Sequence, residues 1–170
     1  MHRVYYPSGS TDVEPRMSRP AISFTVAPKV VVASLERRGA YSGVGEAMKE
    51  LKEWVDSKGV KQIGKTFCMF FDNPSETPEP MLRSEVCIPV TRVFEGEGKF
   101  RVRELAETQV AETHHRGSPE RFALTYGPFL ETLVKGGYRL LGPAREYYMD
   151  YSDVTGPGAG FLIQQPIAKK

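Results

Sequence analysis

The feature that most constrains the fold of this chain is an internal repeat of 78 residues. Shifting the sequence by 78 positions, without a gap, places Gly59 on Gly137 and Gly64 on Gly142. The apolar positions of one helical face follow the same shift: Val44, Met48, Leu51 and Val55 fall on Phe122, Tyr126, Phe129 and Leu133. A duplication of this length predicts two similar structural units within the chain.

Each unit is predicted to form a strand, a helix and two further strands. The strands are predicted at residues 26–36, 64–72 and 82–90, and again at 101–114, 138–150 and 160–167. Ser42 is predicted to cap the first helix and Gly59 to end it, and residues 118–120 are predicted to open the second. The EGEG turn at residues 95–98 joins the units.

Two units with apolar helix faces predict an α+β fold in which they pack about a pseudo-twofold axis, with a ligand cleft between them. A chain of 170 residues can hold this fold in a single domain. We expect the domain at residues 21–170, with units at about 21–92 and 99–168.

Residues 1–20 are predicted to be a loosely ordered leader, because they contain three prolines and lack the apolar segment of a signal peptide. We therefore expect a cytoplasmic protein. No apolar run approaches the ~20 residues of a membrane helix, so no membrane partner is expected. A net charge of +2, with basic residues scattered among acids, argues against direct nucleic-acid binding.

The two cysteines, Cys68 and Cys87, do not form a CxxC motif and have no histidine nearby in sequence. Metal sites need several such ligands in close spacing. No metal and no cofactor is therefore expected, and both thiols are predicted to be apolar strand residues.

The stretch GPAREYYMD, residues 142–150, contains the main candidate for a functional residue. In an extended chain Glu146 shares one face with Tyr148. The repeat places Cys68 on Glu146 and Phe70 on Tyr148, so the cleft is predicted to be apolar in one half and acidic in the other. From the residues alone, Glu146 either forms a salt bridge on a solvated face or lines a pocket that takes a positive charge.

Further aromatic residues are candidates for lining this cleft. Tyr126 is favoured because a phenol in an apolar site usually needs a polar partner. Trp54 lies at the edge of the buried helix face, where core packing is the alternative interpretation. His114 and His115 are expected at the surface end of a strand. The aromatic candidates are Tyr41, Trp54, Phe70, Tyr126, Tyr148 and Phe161.

The segment FFDNPSETPEPMLRSEVCIPV, residues 70–90, resembles the signature of the DNA gyrase inhibitor-like (GyrI-like) family. RRGAY at residues 37–41 and the later HRG and GPAREY segments are similar to that family as well. The resemblance covers about residues 24–167, and Asn73 departs from the second Asp that is frequent in the family. The family includes the effector-binding domains of AraC-type and MerR-type multidrug-responsive regulators.

The resemblance implies two strand-helix-strand-strand modules with a ligand cleft between them. It also implies that Glu146 meets the positive charge of lipophilic ligands in an aromatic pocket, with Tyr148 following it. Since no helix-turn-helix is recognised in the sequence, we expect a stand-alone binding protein for amphipathic, cationic or aromatic small molecules.

Two alternatives remain open beside that reading. The first is a hydrolase of cyclopropane-bearing electrophilic toxins, an activity that the resemblance implies, with Glu146 and Tyr126 as the catalytic pair. The second is a protein-binding role, with gyrase or a separate regulator as the partner, which predicts an exposed patch in place of a deep pocket.

Overall fold

The computed structural model describes residues 20–117, 121–150 and 159–170. The predicted leader, apart from its last residue, and the predicted helix start at residues 118–120 lie outside this range. The described chain forms β1 (Ser23–Ala27), β2 (Val30–Arg38), α1 (Val44–Ser57), β3 (Phe67–Phe70), β4 (Arg83–Pro89), β5 (Phe100–Leu105), β6 (Thr108–Arg116), α2 (Phe122–Lys135), β7 (Tyr138–Leu140), β8 (Arg145–Asp150) and β9 (Ala159–Lys169).

The sequence repeat is present in the structure, and the predicted α+β fold of two related units is confirmed. The 78-residue shift carries β2 onto β6 and α1 onto α2 from end to end. The last strand of each unit departs from the 78-residue shift by one residue. The Ile63 amide donates to the Pro89 carbonyl, and the Leu141 amide donates to the Pro166 carbonyl, so β4 and β9 correspond at a shift of 77.

The strands form one antiparallel sheet in the order β1-β6-β9-β8-β3-β4-β2-β5, with β7 paired to β9. The predicted strand at residues 26–36 is therefore wrong as a single element, because β1 lies at one end of the sheet and β2 is the second strand from the other end. The predicted strand at 101–114 divides in the same way into β5 and β6.

One antiparallel register nevertheless continues through both divided strands. Ala27 pairs with Thr108, and Val30 pairs with Leu105 in the same register. Residues 23–38 and 100–116 thus form one long two-stranded ribbon, interrupted at residues 28–29 and 106–107. Because the two ends of the sheet are the two ends of this ribbon, the sheet curls back toward itself.

Both helices pack on the same face of the curled sheet. The residues buried against it are Leu51 and Val55 of α1 and Phe129 and Leu133 of α2. Burial of each side chain stabilises the fold by on the order of 2 kcal/mol. On the opposite face the buried residues are Val32, Phe67, Met69, Cys87 and Leu105. The central strands β3 and β8 therefore lie between two separate cores.

Two predicted element boundaries need correction, and one is confirmed. Ser42 does not cap α1: it lies in a 3-10 turn, Tyr41–Gly43, and Gly43 occupies the N-cap position without a side-chain bond. The predicted strand at 138–150 is broken after β7 by Gly142, whose φ of +69° is left-handed. Gly59, with φ +65°, follows the end of α1 as predicted. Across the described residues, no helix is long and apolar enough to cross a membrane.

Candidate ligand-binding site

Cys68 and Glu146 are paired directly across the two central strands. They are Cα partners in the antiparallel ladder between β3 and β8, and the repeat makes them equivalent residues. In an antiparallel pair related by a twofold axis, only the residue at the axis faces its own equivalent. The pseudo-twofold axis therefore passes between Cys68 and Glu146.

Glu146 is a buried acid that is hydrogen-bonded to a phenol. Its side chain lies on the helix-bearing face and is 7% exposed. The Tyr126 hydroxyl of α2 donates to Glu146 Oε1 over 2.6 Å, and no ion pair of Glu146 occurs among the described residues. Burial raises the pKa of Glu146 to about 7, while the Tyr126 hydrogen bond opposes that rise.

Tyr126 supplies this hydrogen bond as a neutral phenol. Burial raises its pKa well above the usual value, and the neighbouring Glu146 charge raises it further. The hydroxyl therefore stays protonated throughout the working pH range and remains a donor. In α1 the same helical position is occupied by Met48, which packs on the core that contains Cys68.

Cys68 contributes an apolar and unreactive side chain to the site. It is 2% exposed, and burial, with a contribution from the Glu146 charge, raises the pKa of its thiol to about 12. Since the thiolate is the reactive form of cysteine, Cys68 is not positioned to act as a nucleophile.

Tyr41 and Phe70 form an aromatic pair in the first half. Their ring centroids lie 4.6 Å apart in an edge-on arrangement. The Tyr41 hydroxyl donates to the Asp72 carbonyl over 2.7 Å and accepts from the Asp72 amide at 3.0 Å. Burial raises the pKa of Tyr41, and the charge of Glu146 contributes to that rise. This pair is therefore fixed to the backbone beyond β3, within electrostatic reach of the acid.

A second group of aromatic rings extends from Tyr126 along the second half. The ring of Phe122 lies 6.0 Å from that of Tyr126 and 4.9 Å from that of Phe161. Phe161 in turn contacts Tyr148 at 5.7 Å. Tyr148 is 54% exposed, so this row of rings leads from the buried hydroxyl to the surface.

The structure does not bring Trp54 to this group. Its ring stacks on Phe100 at 4.7 Å and on Phe94 at 5.3 Å, and its Nε1 donates to Glu97 over 3.4 Å. Trp54 thus packs α1 against β5, at the far end of the sheet from Glu146, which agrees with the core-packing alternative.

Two residues of the aromatic group, Phe122 and His115, were missed by the sequence analysis. His115 is 2% exposed, so its expected place at a surface strand end is wrong. Its Nδ1 lies 2.7 Å from Thr125 Oγ1, and its ring lies 4.6 Å from that of Phe122. The repeat aligned β6 with β2, but it could not show that α2 covers this end of β6.

The geometry around Glu146 suits recognition of a positive charge more than metal chemistry. No group of three or more His, Cys, Asp or Glu residues in the described segments could hold a metal ion. Two surface clefts, of about 320 and 400 Å³, are lined by neither Glu146 nor Tyr126. Glu146 itself is 7% exposed, so the residues around it cover most of its surface.

Comparison with protein families gives one match, and comparison with solved structures agrees with it. The model of the GyrI-like small-molecule-binding domain matches residues 20–158. No curated protein sequence matches the chain.

The fold is similar to that of the EcmrR C-terminal domain, with a TM-score of 0.77 and 18% identity over 89% of this chain and 99% of that one. In the EcmrR–DNA complex the TM-score is 0.78 at 18% identity, and the match covers 92% of this chain but 60% of the EcmrR chain.

More distant neighbours share the fold. A hydrolase from Listeria innocua has a TM-score of 0.65 and 10% identity, over 91% of this chain and 96% of that one. SAV2435, solved bound to tetraphenylphosphonium, has a TM-score of 0.56 and 12% identity, over 87% of this chain and 94% of that one.

Proposed function

The chain belongs to the GyrI-like family of small-molecule-binding domains, and from this premise we propose that it binds amphipathic molecules carrying one positive charge and an aromatic group. The observation that carries the proposal is the buried carboxylate of Glu146, which accepts from a phenol and forms no salt bridge within the described part of the chain. A ligand cation would supply the missing partner.

The electrostatic gain from such a ligand is substantial. A buried acid without a cation is unfavourable in its charged form, which is why the pKa of Glu146 rises to about 7. A unit cation about 4 Å away would recover roughly 4 kcal/mol at an effective dielectric of 20. Contacts of the cation with the nearby rings of Tyr126 and Phe161 would add about 0.5–2 kcal/mol.

The unlike halves of the site give the ligand an orientation. The second half holds the acid, its phenol donor and the row of rings that leads to Tyr148. The first half holds Cys68, Met48 and Phe70, and none of these carries a charge. The cationic group therefore lies toward β8 and α2, and the apolar body extends over β3.

The choice of a test ligand follows from this chemistry. Tetraphenylphosphonium is a monocation surrounded by aromatic rings, and its structure with the fold neighbour SAV2435 makes it a suitable probe. Triphenylphosphine oxide has three phenyl rings and no net charge, so it reports binding of a similar aromatic body without the cation.

Calorimetric titration of both probes into wild type and a Glu146→Gln variant tests the proposal. Glutamine keeps the shape of the side chain and can still accept from Tyr126, so only the charge is lost. We expect tetraphenylphosphonium to bind the variant at least about tenfold more weakly, which is ~1.4 kcal/mol. Triphenylphosphine oxide gains nothing from the carboxylate, so it should not bind the variant more weakly than wild type. The exposed control Glu53→Gln should bind tetraphenylphosphonium as wild type does. If Glu146→Gln binds this cation as strongly as wild type or Glu53→Gln, the electrostatic mechanism is contradicted.

A hydrolase is the second candidate, and it is favoured by the pKa of Glu146. A carboxylate with a pKa of about 7 can take a proton from water at neutral pH. The Tyr126 hydroxyl could then stabilise negative charge that develops on the substrate. Mass spectrometry of a cyclopropane-bearing electrophile incubated with protein tests this role. A water-addition product that forms no faster with wild type than with Glu146→Gln argues against it.

A further inference from the structure

Arg37 lies on the face of the sheet that carries both helices and Glu146. Leu35, two residues earlier on β2, is buried in the core beneath α1, and side chains two residues apart on a strand point to the same face. Strand pairing places Arg37 opposite Ser84 of β4, and Ser84 opposite Phe70 of β3. Arg37 thus begins a row of side chains that crosses the first half of the site.

The second half of the site contains the equivalent row. The repeat carries Arg37 onto His115. His115 pairs with Phe161, and Phe161 pairs with Tyr148, and the rings of these three residues belong to the aromatic group beside Glu146. Arg37 therefore occupies a position that lines the site in the other half, and there it places a permanent positive charge.

The guanidinium of Arg37 is held in place by neutral groups. Its Nη1 donates to the Ala40 carbonyl over 2.8 Å and to Ser84 Oγ over 3.3 Å. Gly43 leaves room for the guanidinium, because a Cβ at that position would overlap Nη2. In the segments that the structure describes, Arg37 forms no ion pair and uses only Nη1 as a donor. Its other donors can therefore bind an outside acceptor.

Arg37 acts electrostatically on the centre of the site. It is partly buried, and its charge opposes the rise in the pKa of the Cys68 thiol. Cys68 lies directly opposite Glu146 across β3 and β8. One face of the sheet thus holds a carboxylate and a guanidinium, neither of which forms a salt bridge among the described residues.

These two charges lie too far apart to pair with each other. Ser84, which the Arg37 guanidinium contacts, is two strands away from Glu146 and two residues further along. Strands lie about 4.8 Å apart and residues about 3.4 Å apart, so the separation of the charges is on the order of 10 Å. An ion pair needs about 4 Å or less. Between them lie Cys68 and Phe70, which carry no charge.

We propose that the ligand of this site is a zwitterion, whose cationic group meets Glu146 and whose carboxylate meets Arg37, with a flat apolar body between the two. This inference rests on the proposed function for its Glu146 end and adds the second charge. A guanidinium suits the second end because it binds a carboxylate through charge-assisted hydrogen bonds.

The probe is 4′-(aminomethyl)biphenyl-4-carboxylic acid, which holds an ammonium and a carboxylate at the two ends of a rigid aromatic body. Its primary carboxamide has the same shape and the same cation but no anion. In calorimetric titration at about pH 8, wild type should bind the acid at least about fivefold more tightly than the carboxamide. Arg37→Gln should bind the two compounds alike. Arg38→Gln, an exposed neighbour on the opposite face, should keep the preference of wild type.

Gly43→Ala tests the position of the guanidinium without removing its charge. The backbone of Gly43, with φ −80°, accepts alanine, but the methyl group would overlap Arg37 Nη2 and move it. We expect the preference for the acid to fall at least about twofold in a protein that urea unfolding shows to be folded. This variant keeps the test decisive if Arg37→Gln does not fold.

The two ends of the ligand are tested separately. Wild type that binds the acid no more tightly than the carboxamide, or that binds neither compound, overturns the role of Arg37. A preference that survives unchanged in folded Arg37→Gln or Gly43→Ala also overturns it. Glu146→Gln should weaken both compounds alike. If it binds both as wild type does, the Glu146 end and the proposed function fail, whatever the result for Arg37.

Discussion

The hydroxyl of Tyr126 donates a 2.6 Å hydrogen bond to Glu146, at positions where the other half of the molecule has a thioether and a thiol. The first-half equivalents are Met48 and Cys68, which belong to one apolar cluster. At these equivalent positions, the near-twofold fold thus holds a carboxylate and its hydrogen-bond donor in one half only. The following predictions rest on this pair.

Affinity for a lipophilic cation should rise with pH up to about neutrality and then level off. The cation binds the ionised form of Glu146, whose pKa is about 7. At about pH 5 only ~1% of the carboxyl is ionised, so the affinity of tetraphenylphosphonium should fall by at least tenfold from its value at about pH 8. Titration calorimetry across this range measures the change.

The Glu146→Gln variant is the control for that dependence. It should bind the cation weakly and with little variation in pH, and wild type at low pH should approach its affinity. A wild-type affinity that is constant between about pH 5 and pH 8 would mean that the carboxyl does not titrate in this range or does not meet the ligand.

The stability of the unliganded protein should depend on the same carboxyl with the opposite trend. Below the unfolded pKa of 4.5, Glu146 is neutral in both states. As pH rises from there to about 7, the unfolded chain releases the proton while the folded chain retains it, so folding becomes less favourable. From about pH 4 to pH 8, wild type should lose about 3 kcal/mol of unfolding free energy relative to Glu146→Gln.

Urea unfolding of the two proteins at several pH values measures this difference. Comparing the variants cancels the contribution of the other titrating groups to first order. A difference that does not change with pH, or that changes in favour of wild type as pH rises, would contradict the raised pKa.

Tyr126→Phe should move the pH dependence of cation binding to higher pH. The lost hydrogen bond stabilises the ionised carboxylate, so its removal raises the pKa of Glu146 further, by about one unit or more if the bond is worth ~1.5–3 kcal/mol. The midpoint of the affinity curve reports that shift. Tyr138→Phe is a suitable control, because the Tyr138 ring packs against Phe24, and it should leave the midpoint in place.

Substitution of Phe161 should weaken ligand binding, whereas substitution of Trp54 should lower stability without changing binding. Phe161→Leu shortens the row of rings beside Tyr126 and Tyr148, and we expect tetraphenylphosphonium to bind about two- to tenfold more weakly. Trp54→Phe should destabilise the protein by about 1–3 kcal/mol and leave that affinity unchanged. Loss of affinity in Trp54→Phe would mean that the binding site extends to the far end of α1.

The repeat in the sequence identified the two residues at the centre of the site, although not their pairing. It made Cys68 and Glu146 equivalent residues. They lie directly opposite each other because the pseudo-twofold axis passes between them. The sequence also gave α1 its correct end at Ser57 to within a residue or two, because the periodicity and the glycine that follows, Gly59, are local signals.

What the sequence could not predict depends on contacts between distant segments. Residues 26–36 contain no signal beyond Pro28 that they divide into an edge strand, β1, and an inner strand, β2, on the other side of the sheet. The hydrogen bond from Tyr126 to Glu146 and the burial of His115 require knowing where α2 lies on the sheet. The interior place of Trp54 depends in the same way on Phe100, which follows 46 positions later in the sequence.

The ribbon formed by residues 23–38 and 100–116 belongs to neither half alone. Each of its long strands is an inner strand in one half and the outermost strand in the other. The copies are consequently not independent modules joined by a tether: each completes its sheet with a segment contributed by its twin. Cutting the chain near residue 98 would leave two fragments that each lack one edge strand, so neither half can complete its sheet alone.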